Sequence, residues 1–426
     1  MGRFLFVVPP MADHVLPTIS VGRELTTRGH RVAWTGHPDV VPDLLPDDAL
    51  LLPVDQAVPR SVRRAVAVRP TRSLRGPSAL KARWEEVLLP LAQSMIPGVR
   101  TAVDEFAPDV IVSDQQALAG GAVAQVLRVP WATTTTTAVE QAHPLGTMPL
   151  VARWIRGLLL DLMVDIGVPD DEAVAIDPRF SPHLVLSFSA EVLVGRQTDG
   201  LDCGAGEVRA GRHEFVGPCL DEHAVEAPFA WTWLDGRPLV VVSTGRPGAV
   251  GSGDTGAGRM GDRFLRLAVD ALAGMGVQAV VVAPVEQVPD PPANVVVTPE
   301  VPSSALLALA ATVVTHGDHA TVGRGLGHGV PLVVVPLHDD QPVVAQQVVD
   351  AGAGVRVRHG GLDVGRLRRA VASALFDPGL RASAAKVRDA LSRAGGPRRA
   401  ADRIEELVGA AAFATSPPVA AARETA

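Results

Sequence analysis

The stretch Val313-Val-Thr-His-Gly-Asp-His-Ala-Thr321, followed by Gly329-Val-Pro-Leu-Val-Val-Val-Pro336 and then Asp339-Asp340-Gln341, constrains this chain more than any other. It reads as a buried strand, a glycine turn carrying a histidine, a short helix, a second strand, and an acid-amide pair at that strand's end. A helix N-terminus offers unpaired N–H groups and a partial positive charge, so a histidine and a hydroxyl placed there make an anion site. The following strand brings polar side chains beside the anion. Phosphate next to hydroxyl-binding groups is the combination that a sugar nucleotide presents.

A chain of 426 residues with 47% hydrophobic content is too long for one ordinary domain and predicts two. With 41 glycines and 36 prolines, usage stays below the level of a disordered segment, so the chain is read as folded throughout most of its length. The net charge of −7 gives no general attraction to nucleic acid or anionic lipid, so any phosphate must be held locally. Lys81 and Lys386 are the only lysines, and no run of arginines is long enough for a polyanion groove. Cys203 and Cys219 lack metal-ligand spacing. The first apolar run ends at Pro9-Pro10, far too short for a membrane span and without a cleavage site, which predicts a cytoplasmic protein.

Residues 3–8 form an apolar run of strand length, a polar loop follows, and 16–28 has helical spacing ended by Gly29; 31–34 starts the next strand. Further apolar strands at 109–113 and 129–133 flank a helix at 120–127, and strands at 183–188 and 214–217 close the first half. The proline-punctuated segment 144–177, with Trp154, Leu158 and Met163, departs from this rhythm; it fits either a wall for a greasy ligand or ordinary packing on the sheet. Residues 221–236 are linker-like. The pattern then restarts with strands at 238–243, 278–283, 294–297, 312–315 and 332–335 and a helix at 263–273. The expected fold is α/β, two tandem Rossmann-like doubly wound domains at 1–220 and 237–396, with the site in the cleft between them at the carboxyl ends of the strands. A last helix at 397–409, with a place back on the first domain left open, and a loose tail at 410–426 complete the chain.

His14, between the first strand and the first helix, is the candidate base: a neutral imidazole facing the cleft takes a proton from a hydroxyl near pH 7. Asp114, at the end of the 110–113 strand, is placed to orient it. The competing reading makes His14 a helix-start residue near solvent and Asp114 a helix cap, and spacing leaves both open; Asp13 is a second candidate base. In the second half, His316, Gly317, Asp318, His319, Ala320 and Thr321 form a turn whose amides could hold a diphosphate, with Asp318 also a good N-cap. Gly323, Gly325 and Gly327 make the next helix intrinsically poor, at about 1 kcal/mol each against alanine, and imply close packing or close ligand approach. Asp340 and Gln341 fit a sugar clasp better than a divalent-metal motif, no third ligand being evident. A G-x-G-x-x-G run spans residues 251–256, yet begins several residues after its strand, where a dinucleotide fingerprint would begin in the turn.

These residues resemble the GT-B-fold glycosyltransferases of the UDP-glycosyltransferase superfamily, above all the bacterial enzymes that decorate macrolides and enediynes. The family's H-G-G-x-G-T matches His316 to Thr321, its G-V-P-x-x-x-x-P matches Gly329 to Pro336, its D-Q matches Asp340-Gln341, and its loop histidine and aspartate match His14 and Asp114. The resemblance implies an inverting, metal-independent transfer without a cofactor. A dTDP- or UDP-sugar would be the donor and an apolar small molecule the acceptor, bound by the second and first domains respectively. His14 would act as base, the turn at 316–321 would hold the leaving diphosphate, and Asp340 and Gln341 would hold the sugar. By the same likeness Val301 and Ser303 stand in the nucleoside-binding segment and Ser243, Gly245 and Arg246 in a donor loop. Four departures stand out: Asp318 and Ala320 replace glycines of the turn, Val344 replaces an asparagine, 300–303 lacks the tryptophan and glutamine of W-V-P-Q, and Arg246 replaces a small hydroxyl residue. A carboxylate at 318 lies where anionic charge should collect. Two other classes fit parts of the pattern: a catalytically silent relative that assists another glycosyltransferase, and a nicotinamide-dependent dehydrogenase built on the loop near Gly253. A homodimer is left open.

Overall fold

The computed structural model describes residues 1–63, 77–136, 149–195, 211–219, 227–244, 256–337 and 340–414. Gly245, Arg246, Asp339, Cys203, residues 144–148 and 221–226, the glycine-rich run up to Thr255 and the end of the tail lie outside these segments.

Two six-stranded sheets, parallel throughout, organise the chain. The first contains β1 (Arg3–Val7), β2 (Arg31–Thr35), β3 (Val110–Asp114), β4 (Trp131–Thr135), β5 (Leu184–Ser187) and β6 (Arg212–Phe215), in the order β2-β1-β3-β4-β5-β6. The second contains β7 (Leu239–Ser243), β8 (Gln278–Val282), β9 (Val295–Thr298), β10 (Ala310–Thr315), β11 (Leu332–Val334) and β12 (Gly354–Arg356), in the order β12-β11-β10-β7-β8-β9. The longer helices are α1 (Ala12–Thr27), α2 (Leu89–Phe106), α3 (Leu118–Leu127), α4 (Pro149–Asp165), α5 (Gly256–Leu272), α6 (His319–Gly327), α7 (Gln341–Asp350), α8 (Val364–Phe376), α9 (Pro378–Arg393) and α10 (Gly396–Ala414).

The strands read as continuous apolar runs because helices cover both faces of each sheet. Alternate residues then serve opposite layers: Leu5 and Val7 join Ile111 in one core of the first lobe, while Phe4 and Phe6 join Val110 and Val112 in the other. The second lobe repeats this, with Val240, Val242 and Val314 on one side and Val241, Val313 and Val334 on the other. The described part of the 144–177 segment is mostly α4, whose Ile155, Leu159 and Leu162 pack with Trp84 and Leu91, so here ordinary core packing is what the apolar residues do.

Sheet order also fixes where ligands can approach. In the first sheet the winding reverses between β1 and β3, and in the second between β7 and β10; loops leaving such a pair diverge to opposite faces and open a crevice at the carboxyl ends. His14 follows β1 and Asp114 ends β3, while Ser243 ends β7 and the 316–321 turn follows β10.

The two lobes are joined twice. After the second lobe the chain crosses back at Gly396, whose N–H donates to the Val216 carbonyl at 2.6 Å. It then forms α10, which seats Ala400, Ala401 and Ile404 among Phe4, Phe6 and Leu25 of the first lobe. Arg28 donates to Asp402 at 2.7 Å and Glu405 at 2.8 Å, and His30 Nε2 lies 2.7 Å from Glu405. Among the described residues no helix is long and apolar enough to cross a membrane.

Candidate active site

The sequence places His14 ahead of the first helix; in the structure it lies within the first turn of α1. Met11, in extended conformation, starts the helix, and its carbonyl accepts from His14 N at 3.0 Å and Val15 N at 3.1 Å. Pro17 lies inside the helix, where its missing N–H forfeits the bond to the Asp13 carbonyl and its ring crowds that oxygen, and the helix nonetheless runs past it. Starting at Ala12 turns the His14 ring inward toward β3.

There His14 Nδ1 lies 2.9 Å from Asp114 Oδ1 and 3.0 Å from Oδ2, both side chains being buried. Since a carboxylate only accepts, the proton sits on Nδ1 and leaves Nε2 with a lone pair, the tautomer a general base requires. The Gln116 N–H donates to the same Oδ1 at 2.8 Å, fixing the carboxylate in turn. Burial opposes charge on the His14 ring, but the Asp114 carboxylate, by attraction and by hydrogen bond, outweighs it with help from Asp13; the pKa is held above the ordinary imidazole value. Thr136 was not foreseen. Its hydroxyl lies 2.8 Å from His14 Nδ1 and shares that proton as a second acceptor. The signal was present in the threonine run leaving the strand beside β3, once the strand order is known.

Across the cleft, Gly317 adopts φ +98, and a Cβ there would meet Val334 Cγ1 at 2.8 Å, so only glycine fits the turn. The same built Cβ would come within 3.7 Å of Gln341, which places the 316–321 turn directly beside the acid-amide pair. Asp318 is the N-cap of α6: its Oδ1 accepts from Thr321 N at 2.7 Å, and Oδ2 accepts from Thr315 Oγ1 at 3.4 Å and lies 3.8 Å from His316 Nδ1. The carboxylate therefore does not turn away from the anion cradle. The His319 side chain leaves the cradle instead, donating from Nε2 to the Phe188 carbonyl of the first lobe at 3.0 Å; burial lowers its pKa and keeps it neutral. What His319 and Ala320 offer an anion is their backbone N–H at the head of α6.

Gln341 is buried with its side-chain oxygen accepting from Leu337 N at 2.8 Å, whereas Asp340 makes no cap bond and is half-buried. Ser243 pairs with Thr315 in the sheet register and so borders the turn. Val301 is half-buried and Ser303 exposed at the start of a short helix, with no aromatic ring between them. Of the three glycines of α6, Gly325 lies against Leu332, where a Cβ would approach to 2.8 Å, Gly323 faces Pro218, and Gly327 meets nothing within 4 Å.

Asp13 connects the two walls. Its surface stays open to water, yet crowding by both lobes and then the charges of Asp318 and Asp340 push its carboxyl up to about 6, against the pull of His14 and Arg324. The first-lobe pair and the second-lobe turn thus face one space. Among the described residues no group of three or more His, Cys, Asp or Glu is placed to hold a metal ion.

Residues 267–407 match the family described as erythromycin biosynthesis protein CIII-like, C-terminal domain. Over 97% of its length the chain is 28% identical to demethyllactenocin mycarosyltransferase of Streptomyces fradiae, covering 88% of that protein. It is also 28% identical to 4'-demethylrebeccamycin synthase of Lentzea aerocolonigenes, over 96% of this chain and 100% of the relative. Among solved structures, the glycotransferase of kitacinnamycin superposes with TM-score 0.73 at 25% identity over 95% of this chain and 98% of that one. VinC in complex with dTDP superposes with TM-score 0.72 at 19% identity over 96% and 100%. With two parallel lobes around one cleft, this chain has the GT-B fold and is similar along nearly its whole length to natural-product glycosyltransferases, its residues 267–407 matching the erythromycin CIII-like C-terminal domain.

Proposed function

We propose that the protein is an inverting, metal-independent transferase that moves a sugar from a dTDP- or UDP-sugar to a hydroxyl of an apolar small-molecule natural product. The observation that carries this reading is the buried His14–Asp114 pair, whose neutral form leaves Nε2 to accept a proton, on the wall opposite a helix N-terminus. The donor lies with its diphosphate at the amides of His319 and Ala320 and its sugar against Asp340 and Gln341. The acceptor enters over His14. Nε2 takes the acceptor hydroxyl proton as that oxygen attacks the anomeric carbon; the bond to the diphosphate oxygen breaks on the far side, and the nucleoside diphosphate leaves with the electron pair. Attack and departure on opposite faces invert the anomeric centre. Asp114 stabilises the imidazolium that forms, and its grip on Nδ1 keeps Nε2 as the reacting nitrogen. The names of the relatives favour transfer chemistry over the silent-partner reading, and the dTDP in VinC supports the choice of donor.

His14→Ala is the deciding variant. It is expected to lose about 10²–10⁴ in turnover, the usual share of a general base, while dTDP and UDP affinity stays within error of wild type. Turnover that survives the substitution would remove His14 from the mechanism. Exhaustive chelation is expected to leave the rate unchanged; loss of activity restored by Mg²⁺ would refute the metal-independent route.

A further inference from the structure

The anion cradle of α6 already contains an anion. Asp318 closes on the N–H of Thr321 at 2.7 Å and on the hydroxyl of Thr315 at 3.4 Å, so one of the turn's first three helical amides is taken by the chain itself. The neighbouring charges do not offset this. Asp13 and Asp340 face the same space, the His319 ring is neutral and committed to Phe188, His316 Nδ1 stands 3.8 Å from Asp318 Oδ2, beyond hydrogen-bond reach, and Arg324 stands one turn further along the helix. A diphosphate in this cradle therefore sits beside a fixed carboxylate that is itself held in place by two hydrogen bonds.

Donor and product do not respond equally to such a neighbour. In a nucleoside diphosphate sugar both phosphates are esterified and each carries one charge. When the sugar leaves, the terminal phosphate becomes a monoester whose second ionisation falls near pH 6, so the product gains negative charge at the end nearest α6. A fixed carboxylate there repels the product more than the donor. We infer that Asp318 is a specificity-determining residue that discriminates against the nucleoside diphosphate product relative to the nucleotide sugar, hastening product departure at the expense of ground-state affinity. The inference rests on the transferase reading above and assigns to Asp318 a function that a glycine in the same turn could not perform.

Asp318→Asn tests it without unfolding the turn, because asparagine caps a helix as well as aspartate does and only the charge is lost. Binding of dTDP and of dTDP-glucose is measured by calorimetry at pH 8 and low ionic strength for wild type, Asp318→Asn and Asp318→Gly. The expected result is that Asp318→Asn tightens dTDP by about tenfold and dTDP-glucose by distinctly less, and that 0.5 M salt narrows the difference, as screening requires. Asp318→Gly, which also releases the Thr321 amide, tightens both ligands further. In turnover, the same variants become more sensitive to inhibition by added dTDP. Equal tightening of both ligands, or weaker binding of dTDP in Asp318→Asn, overturns the inference and leaves the transferase reading standing. Failure of wild type and both variants to bind either nucleotide, with the UDP pair giving the same result, overturns the donor reading itself and this inference with it.

Discussion

His14 shows how one residue's chemistry is assembled from three strand ends. β1 delivers the helix that carries it, β3 ends on Asp114, and β4 runs into Thr136. The pair with Asp114 raises the imidazole pKa, and a base works only when deprotonated, so activity is lost as pH falls through that raised value. Asp114→Asn removes the carboxylate that holds the ring's charge. The acid limb of kcat/KM is then expected to shift to lower pH, and the plateau to fall by about 10²–10⁴ because the tautomer and the developing imidazolium are no longer supported. A pH–rate profile with an unmoved limb would show that Asp114 is a cap and no more. Asp13 gives a second test, on stability. Its carboxyl titrates near 6 when folded against 3.8 in the free group, so the folded state binds the extra proton between these values and wild-type stability declines as pH rises across that window. Asp13→Asn should flatten this slope in melting temperature and melt above wild type beyond pH 6. From sequence the residue types were readable but the geometry was not: Asp318 could be identified as a cap, while its bond to Thr321 N and the exit of His319 toward Phe188 depend on contacts between segments far apart in the chain.

At the level of elements, strands were easier to read than helix starts. Runs such as Val110–Asp114 announce themselves because both faces are covered and every position is apolar or small. The apolar spacing places the start of the first helix at residue 16, where the repeat becomes regular, whereas α1 begins at Ala12, within what reads as a polar loop. The glycines of α6 were grouped by sequence, and the structure separates them. Gly325 packs flush on β11, so Gly325→Ala pushes a methyl into Leu332 and should destabilise by about 1–3 kcal/mol. Gly327 has open space around it, so Gly327→Ala should gain up to about 1 kcal/mol from helix propensity. Urea unfolding midpoints of the two variants, moving in opposite directions, would separate close packing from mere helix weakness; a shift in the same direction would contradict the geometry.

For the whole molecule, the restart of the strand–helix rhythm after residue 237 was enough to predict two parallel sheets, since periodicity is local. The sequence left a seat for the last helix on the first lobe open without deciding it, because nothing local in Ala400, Ala401 and Ile404 says which lobe they enter; in the structure they fill the apolar surface left between Phe4, Leu25 and Val216. Ile404→Ala should cost about 2–5 kcal/mol, as cavity formation in a closed core does, and should lower the unfolding transition while leaving nucleotide affinity at the cradle intact. The paired crossings have a mechanical consequence. Val216 O and Gly396 N meet at 2.6 Å, and a Cβ on Gly217 would touch Leu391 O at 2.8 Å, so the outgoing and returning chain lie against each other along one line. A rotation of one half against the other about that line would use it as a spine, with Gly217, Gly395 and Gly396, all at positive φ, as its pins; the gap between His14 and the 316–321 turn then widens like the fore-edge of a book while its binding stays shut.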